Sequence, residues 1–367
     1  MTKRTRCVFV LFSAALIGTP LFAATAYFET NLASDIPGLA ANLDANLKNP
    51  WGMSFGPSTP FWVSNQGSND STLYNGAGAP QSLVVSTPPS PTGQVFNFTP
   101  SFLLPTGGKA LFLFASLSGT ISGWNAAQGT TAIAPITTPG AVFTGLAIGN
   151  NGTGDELWAA DFANSRIDTF DAAFGSTTST GGFVDLTLPA GYSPYNIQMI
   201  GGKLYVEYAN VNPVTHRATT TPNTGVVDVF DLNGNLLQRL ATNTNLNSPW
   251  GITMAPAGFG SFGGDLLVGN FGDGTISVFD AGGTFQGKIS GQNGAPLVNS
   301  GLWALNFRAT GSGFDPNTLF LNAGINNEAD GLFAEIQIVP EPGTWVLVGL
   351  ALAGALALRR ARSVRQS

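Results

Sequence analysis

The sequence predicts an all-β protein built as a closed ring of six repeats, a six-bladed β-propeller, and three observations carry that reading. One phrase recurs: Asn49-Pro50-Trp51-Gly52 and Ser248-Pro249-Trp250-Gly251 each open a run of alternating apolar and polar residues. The copies recur with the period of four-stranded propeller blades rather than that of helical solenoids. Composition agrees, because 47 Gly and 23 Pro punctuate a chain that is only 10% charged, as short strands joined by tight turns require.

Six copies can be aligned, with starts at Trp51, Phe96, Gly145, Tyr195, Trp250 and Trp303, separated by 45, 49, 50, 55 and 53 residues. Each holds three short strands and a looser fourth, such as residues 81–85 or 236–240. A ring of such blades leaves only short edges open to other chains. With 43% hydrophobic residues the core needs no disulfide, and residues 27–339 form one repeat domain.

Both ends carry processing signals. Lys3, Arg4 and Arg6, an apolar stretch over residues 7–17 and the small residues Ala24-Thr25-Ala26 follow the order of a secretory signal peptide, so residues 1–26 are expected to be removed during passage through the secretory translocon. Cys7, the single cysteine, lies in that segment, which excludes thiol catalysis, disulfides and cysteine-ligated metals from the mature chain. At the other end, Pro340-Glu341-Pro342-Gly343 precedes an apolar run of 14 residues over 345–358, then Arg359, Arg360 and Arg362. That run is shorter than the roughly 20 residues a bilayer-spanning helix asks for, which suits a transient single anchor in the inner membrane. The three arginines act as a membrane stop and keep the tail cytoplasmic with the body outside.

Motif, short helix and basic end together resemble the PEP-CTERM sorting signal of Gram-negative bacteria, over residues 340–367. The resemblance implies that Pro340, Glu341 and Pro342 mark the site read by an exosortase-type sorting enzyme, and that the body is sent to the cell envelope or beyond. A second resemblance lies in the third repeat. Gly145-Leu146-Ala147-Ile148, a strand ending at Asp161, and Asn164-Ser165-Arg166-Ile167 are similar to the NHL-type propeller repeat. Only this copy keeps the arginine, so the likeness implies fold and not ligand.

The chemistry open to the body is narrow. Residues 27–339 hold 8 Lys+Arg against 20 Asp+Glu, a net charge of about −12, which repels phosphate backbones and excludes nucleic acid as a partner. His216 is the single histidine, and with no Gly-x-Ser-x-Gly elbow present it builds neither a catalytic triad nor a multi-histidine metal site. No catalytic residue is assigned.

Oxygen ligands remain. The aligned copies place Asn65, Ser116, Asp161, Tyr208 and Asn270 at one point, where the second strand of each blade ends. In a ring these converge on one face, where Asp161, with the adjacent Glu207, and Asn270 are the candidate ligands for calcium, the one cofactor the pattern admits. Six-bladed lactonases resemble this arrangement. The competing expectation is that these residues cap their own turns. Asp273-Gly274 and residues 326–331 lack calcium-loop spacing and are expected to be turns. Trp51, Trp250 and Trp303 either stack on sugar rings as ligand contacts or pack neighbouring blades together. The functional expectation is an exported, non-catalytic binding or scaffold module for glycan or envelope protein, with a calcium-dependent lactonase-like hydrolase as the alternative.

Overall fold

The computed structural model describes residues 25–308 and 314–339. Residues 1–24 of the expected leader, the motif Pro340, Glu341 and Pro342, the apolar run and Arg359, Arg360 and Arg362 lie outside the described residues. Within them the chain starts with β1 (Tyr27–Ser34) and β2 (Asn42–Leu43) and then builds four-stranded blades in order. Blade one is β3 (Pro50–Ser54), β4 (Phe61–Asn65), β5 (Asp70–Tyr74) and β6 (Val85–Ser86); blade two is β7 (Pro91–Phe96), β8 (Phe112–Ser116), β9 (Thr120–Trp124) and β10 (Ile133–Thr137). Blade three is β11 (Phe143–Asn150), β12 (Asp155–Asp161), β13 (Arg166–Phe170) and β14 (Ser176–Thr177); blade four is β15 (Tyr192–Ile200), β16 (Lys203–Asn210), β17 (Val226–Phe230) and β18 (Leu236–Thr242). Blade five is β19 (Pro249–Met254), β20 (Leu266–Asn270), β21 (Ile276–Phe279) and β22 (Phe285–Lys288). Blade six takes β23 (Leu302–Phe307), β24 (Leu319–Ala323) and β25 (Leu332–Ile338) from the end of the chain and β1 from its beginning.

The innermost strands contact one another in sequence from β3 to β23, and β23 contacts β3, so six sheets close a ring. β1 pairs antiparallel with β25, from Tyr27 opposite Ile338 to Ser34 opposite Leu332, and latches the two ends together. Apolar clusters fill the wedges between blades. One of them joins Ile252 and Val268 to Val227 and Val229, and another joins Trp62 to Phe112 and Phe114.

Every inner strand carries an irregularity at the same place. The pairings Pro50 with Asn65, Pro91 with Ser116, Phe143 with Asp161, Pro194 with Tyr208, Pro249 with Asn270 and Leu302 with Ala323 are each followed by a register shift. A β-bulge re-aims the residue it contains. Those residues are Trp51, Thr92, Thr144, Tyr195, Trp250 and Trp303. The second repeat therefore enters its inner strand at Pro91, ahead of the Phe96 start expected from sequence, because Thr92 stands where four other blades have an aromatic ring and hides the phrase. Thr92 Oγ1 instead donates 2.7 Å to the carbonyl of Phe143 in the next blade.

Glycine follows the bulge in four blades, and its need is steric. A Cβ on Gly52 would lie 2.4 Å from the Thr92 carbonyl oxygen, and one on Gly251 2.1 Å from that of Trp303. Close approach of neighbouring backbones around the axis leaves no room for a side chain.

Candidate functional site

At the end of the axis where the inner strands begin, the bulges direct four large rings inward. Trp51 and Trp303 stack with centroids 3.7 Å apart, and Trp250 meets both edge-on at 6.1 and 5.6 Å. Tyr195 adds a further edge contact, and Phe271 stacks on the opposite face of the cluster, 4.2 Å from Trp303. The two threonines at the equivalent positions of blades two and three leave the volume that these rings occupy. Trp250 Nε1 donates 3.1 Å across the axis to the Thr144 carbonyl, and Trp303 Nε1 donates 2.9 Å to Asn49 Oδ1. Trp51, Trp250 and Trp303 are 1%, 4% and 0% exposed. The three indoles pack against one another and are closed off from solvent.

A polar rim covers this plug. Asn49 Nδ2 donates to Gln66 Oε1 at 2.9 Å and to Glu328 Oε2 at 2.8 Å. Glu328 sits in a turn where Asn326, Asn327 and Glu328 all have φ between 53° and 66°, three consecutive left-handed residues without a glycine. Such backbone is costly for L-residues and persists where surroundings hold it. What holds it is Arg217, in the long β16–β17 connection of blade four, which reaches across to pair with Glu328. The guanidinium also lies over Trp51, 5.6 Å from its ring centroid, within cation–π range. Burial raises the Tyr195 hydroxyl well above its usual range, so it stays protonated beneath this rim. His216, beside Arg217, is exposed and has φ 51°.

The candidate calcium ligands sit on three different blades. Asp161 ends β12 and caps its turn: Oδ1 accepts from the Val142 and Asn164 amides at 3.1 and 3.3 Å, and Oδ2 accepts from Asn164 Nδ2 at 2.7 Å. Asn270 does the same at the end of β20, accepting from the Asn247 amide at 2.9 Å and donating to Ser277 at 3.1 Å. Glu207 differs. It is fully buried on β16, neither carboxyl oxygen has a hydrogen-bond partner, and burial holds its pKa well above the usual carboxylate value. Among the described residues no three His, Cys, Asp or Glu side chains gather to hold a metal. Asp161 and Asn270 thus hold their own turns, whereas Glu207 on the intervening blade does not.

The opposite end of the axis is open. A cavity of about 270 Å³ is lined by Met53, Phe96, Gln198, Met199 and Asn306 among others, and it shares Gln94, Gln198 and Asn306 with a narrower stretch of channel that reaches Asn196 and Trp250. Sequence reading missed this end and the rim alike. Arg217 and Glu328 carried no shared motif, and the channel amides become visible only once the copies are aligned on the bulge.

Comparison with known proteins adds address and kinship. Residues 339–362 match the PEP-CTERM protein-sorting motif, which marks an exported, envelope-sorted protein handled by an exosortase-type system. Among the described residues no helix is long and apolar enough to cross a membrane, and the expected C-terminal helix lies outside them. The fold is similar to that of virginiamycin B lyase from Staphylococcus aureus, with a TM-score of 0.51 at 14% identity over 86% of this chain and 100% of that one. It is also similar to a protein of unknown function from Bacteroides thetaiotaomicron, with a TM-score of 0.54 at 12% identity over 86% of this chain and 76% of that one. These likenesses concern fold alone. Sequence kinship is closer to Acanthamoeba polyphaga mimivirus, whose "Uncharacterized protein R648" is 33% identical over 337 residues, 86% of this chain and 82% of the viral one. By that measure the chain belongs to the family of this uncharacterised mimivirus protein, here joined to a PEP-CTERM sorting motif.

Proposed function

We propose that the protein is an exported propeller displayed at the cell envelope or in extracellular polymer, where it works as a non-catalytic binding and scaffold module for glycan or envelope protein. The observation that carries this reading is the Trp51 and Trp303 stack. The end of the axis where equivalent loops converge is filled by protein, so the ring offers rims and surfaces there rather than a reactive chamber. In this reading the leader takes the chain through the secretory translocon, the C-terminal apolar run holds it briefly in the inner membrane, and the exosortase-type enzyme acts at Pro340, Glu341 and Pro342. The NHL-like phrase of blade three then serves its turn, with Arg166 Nε bonding Asp168 at 2.6 Å.

One observation favours the alternative of a calcium-dependent lactonase-like hydrolase with Asp161, Glu207 and Asn270 as ligands: Glu207 is a buried carboxyl without a partner. Against it, Asp161 and Asn270 already satisfy their own turns. Co-sedimentation of the secreted protein with extracellular polymer tests the module reading, and retention is expected. A protein that stays in the supernatant while calcium raises its melting temperature, and loses that rise in Asp161→Ala, would point to the hydrolase instead.

A further inference from the structure

We propose that the open end of the axis, opposite the tryptophan plug, is a binding site for one neutral sugar ring at the end of an extracellular glycan. The proposal rests on the module reading and names its ligand.

The cavity is built by inner strands from five blades, and its polar groups are unequal. Gln94 is buried and fully committed: Nε2 donates to Ser54 Oγ at 2.9 Å and to the Trp62 carbonyl at 2.6 Å, and Oε1 accepts from Ser64 Oγ at 2.6 Å. It forms a fixed wall. Gln198, by contrast, makes no side-chain hydrogen bond among the described residues, although it lines both the cavity and the narrower channel. Asn306 donates Nδ2 to the Met53 carbonyl at 3.0 Å, which orients its Oδ1 as an acceptor. The free groups are therefore a complete amide, which both donates and accepts, and an amide oxygen.

This set selects by chemistry. No charged side chain lines the cavity, and the body carries about −12, so anions meet repulsion and no counter-charge. A cation finds no carboxylate. A purely apolar ligand would bury the Gln198 amide without a partner, at a cost of about 1–3 kcal/mol. A hydroxyl-bearing neutral ligand satisfies it, since each hydroxyl donates and accepts. The remaining wall is apolar, with Met53, Met199 and Phe96 inside and Phe98 at the mouth, 55% exposed, a ring placed to cover the apolar face of a pyranose. The volume of about 270 Å³ lies just under the roughly 300–1,000 Å³ of drug-sized ligand sites, which suits one sugar ring with its chain leading outward.

The test is titration calorimetry on the folded secreted protein with glucose, galactose and mannose, their linear oligosaccharides, and glucuronate as the anionic isostere. Saturable binding of at least one neutral sugar is expected, with affinity lowered about tenfold in Gln198→Leu and about threefold in Phe98→Ala, and with glucuronate at least tenfold weaker. Phe98 is exposed, so its variant keeps the fold if Gln198→Leu does not. Absence of saturable binding by any neutral sugar overturns the proposal, as does wild-type affinity in both variants, or glucuronate binding as well as glucose. Polymer retention that persists unchanged in both variants overturns the cavity as the glycan site while leaving the module reading in place. Sugar binding that the variants lose upholds the cavity even where whole polymer is not retained, and that last result overturns only the module reading.

Discussion

Trp51 and Trp303 lie face to face, 3.7 Å between centroids and 21° between planes, and they come from the first and the last blade of the ring. The stack joins the two blades that sequence separates most, and Asn49 fixes it by accepting from Trp303 Nε1. Trp303→Ala is therefore expected to cost about 3–5 kcal/mol, as for other buried tryptophans. Chemical denaturation checks this, and a loss under about 1 kcal/mol would mean that the plug does not hold the ring.

Gly251→Ala tests the packing around the axis. Its new methyl would meet the Trp303 backbone oxygen at 2.1 Å, a neighbour that cannot swing away. A destabilisation of about 1–3 kcal/mol is expected from overpacking. Ala at Gly140, which has open space but φ 79°, is expected to cost less, about 1 kcal/mol from backbone strain alone. Equal melting temperatures for the two variants would contradict the steric account.

Glu207 makes stability depend on pH in a fixed direction. Burial raises its folded pKa above the unfolded value of roughly 4.3, so between the two the folded state holds more protons. Its contribution is fully present below the unfolded pKa and is lost as pH rises toward the folded one. Glu207→Gln, which cannot ionise, is expected to melt higher than wild type at pH 8 and to show a flatter profile above pH 5. A variant that melts lower at pH 8 would indicate that the carboxylate is used in the folded protein.

The Arg217 and Glu328 pair is partly exposed at both ends, so it is worth at most about 1 kcal/mol in a double-mutant cycle. Its larger effect falls on the blade-four connection it pins. Arg217→Ala is expected to speed proteolytic cleavage between residues 211 and 225 by several-fold, with little change in melting temperature. Unchanged cleavage would show that the connection is held by other contacts.

Processing is checked at the other end of the chain. Replacing Pro340, Glu341 and Pro342 together by alanine is expected to leave the full tail on envelope-associated protein, read as an intact C-terminus by mass spectrometry. A wild-type tail that is equally intact would show that sorting does not include cleavage.

Six blades were legible because Pro-Trp-Gly is demanded twice over, by a bulge that points the indole inward and by a neighbour that excludes a Cβ. Where Thr92 replaces the indole, that double demand disappears from view, and the repeat boundary drifted to the hydrophobic run at Phe96. Asp161 and Asn270 both lie opposite the residue before the bulge of their blade, and each is tied into its own turn. The rim was illegible for a different reason. Arg217 and Glu328 are 111 residues apart and meet only because a long connection and a left-handed turn converge over the axis. Gln198 and Asn306 were hidden because a polar residue on an inner strand has no signature until the strand's inward side is known.

The pairing of β1 with β25 also sets an order of assembly. The first strand to emerge on the far side of the membrane stays without its antiparallel partner until the last one arrives, when Tyr27 meets Ile338 just before the sorting motif. Until then the sixth sheet lacks an edge and the wedge beside the first is open. Completion of the barrel-like enclosure therefore coincides with delivery of the tail, so a sorting enzyme that reads the tail encounters a molecule whose tertiary structure has only just become able to close.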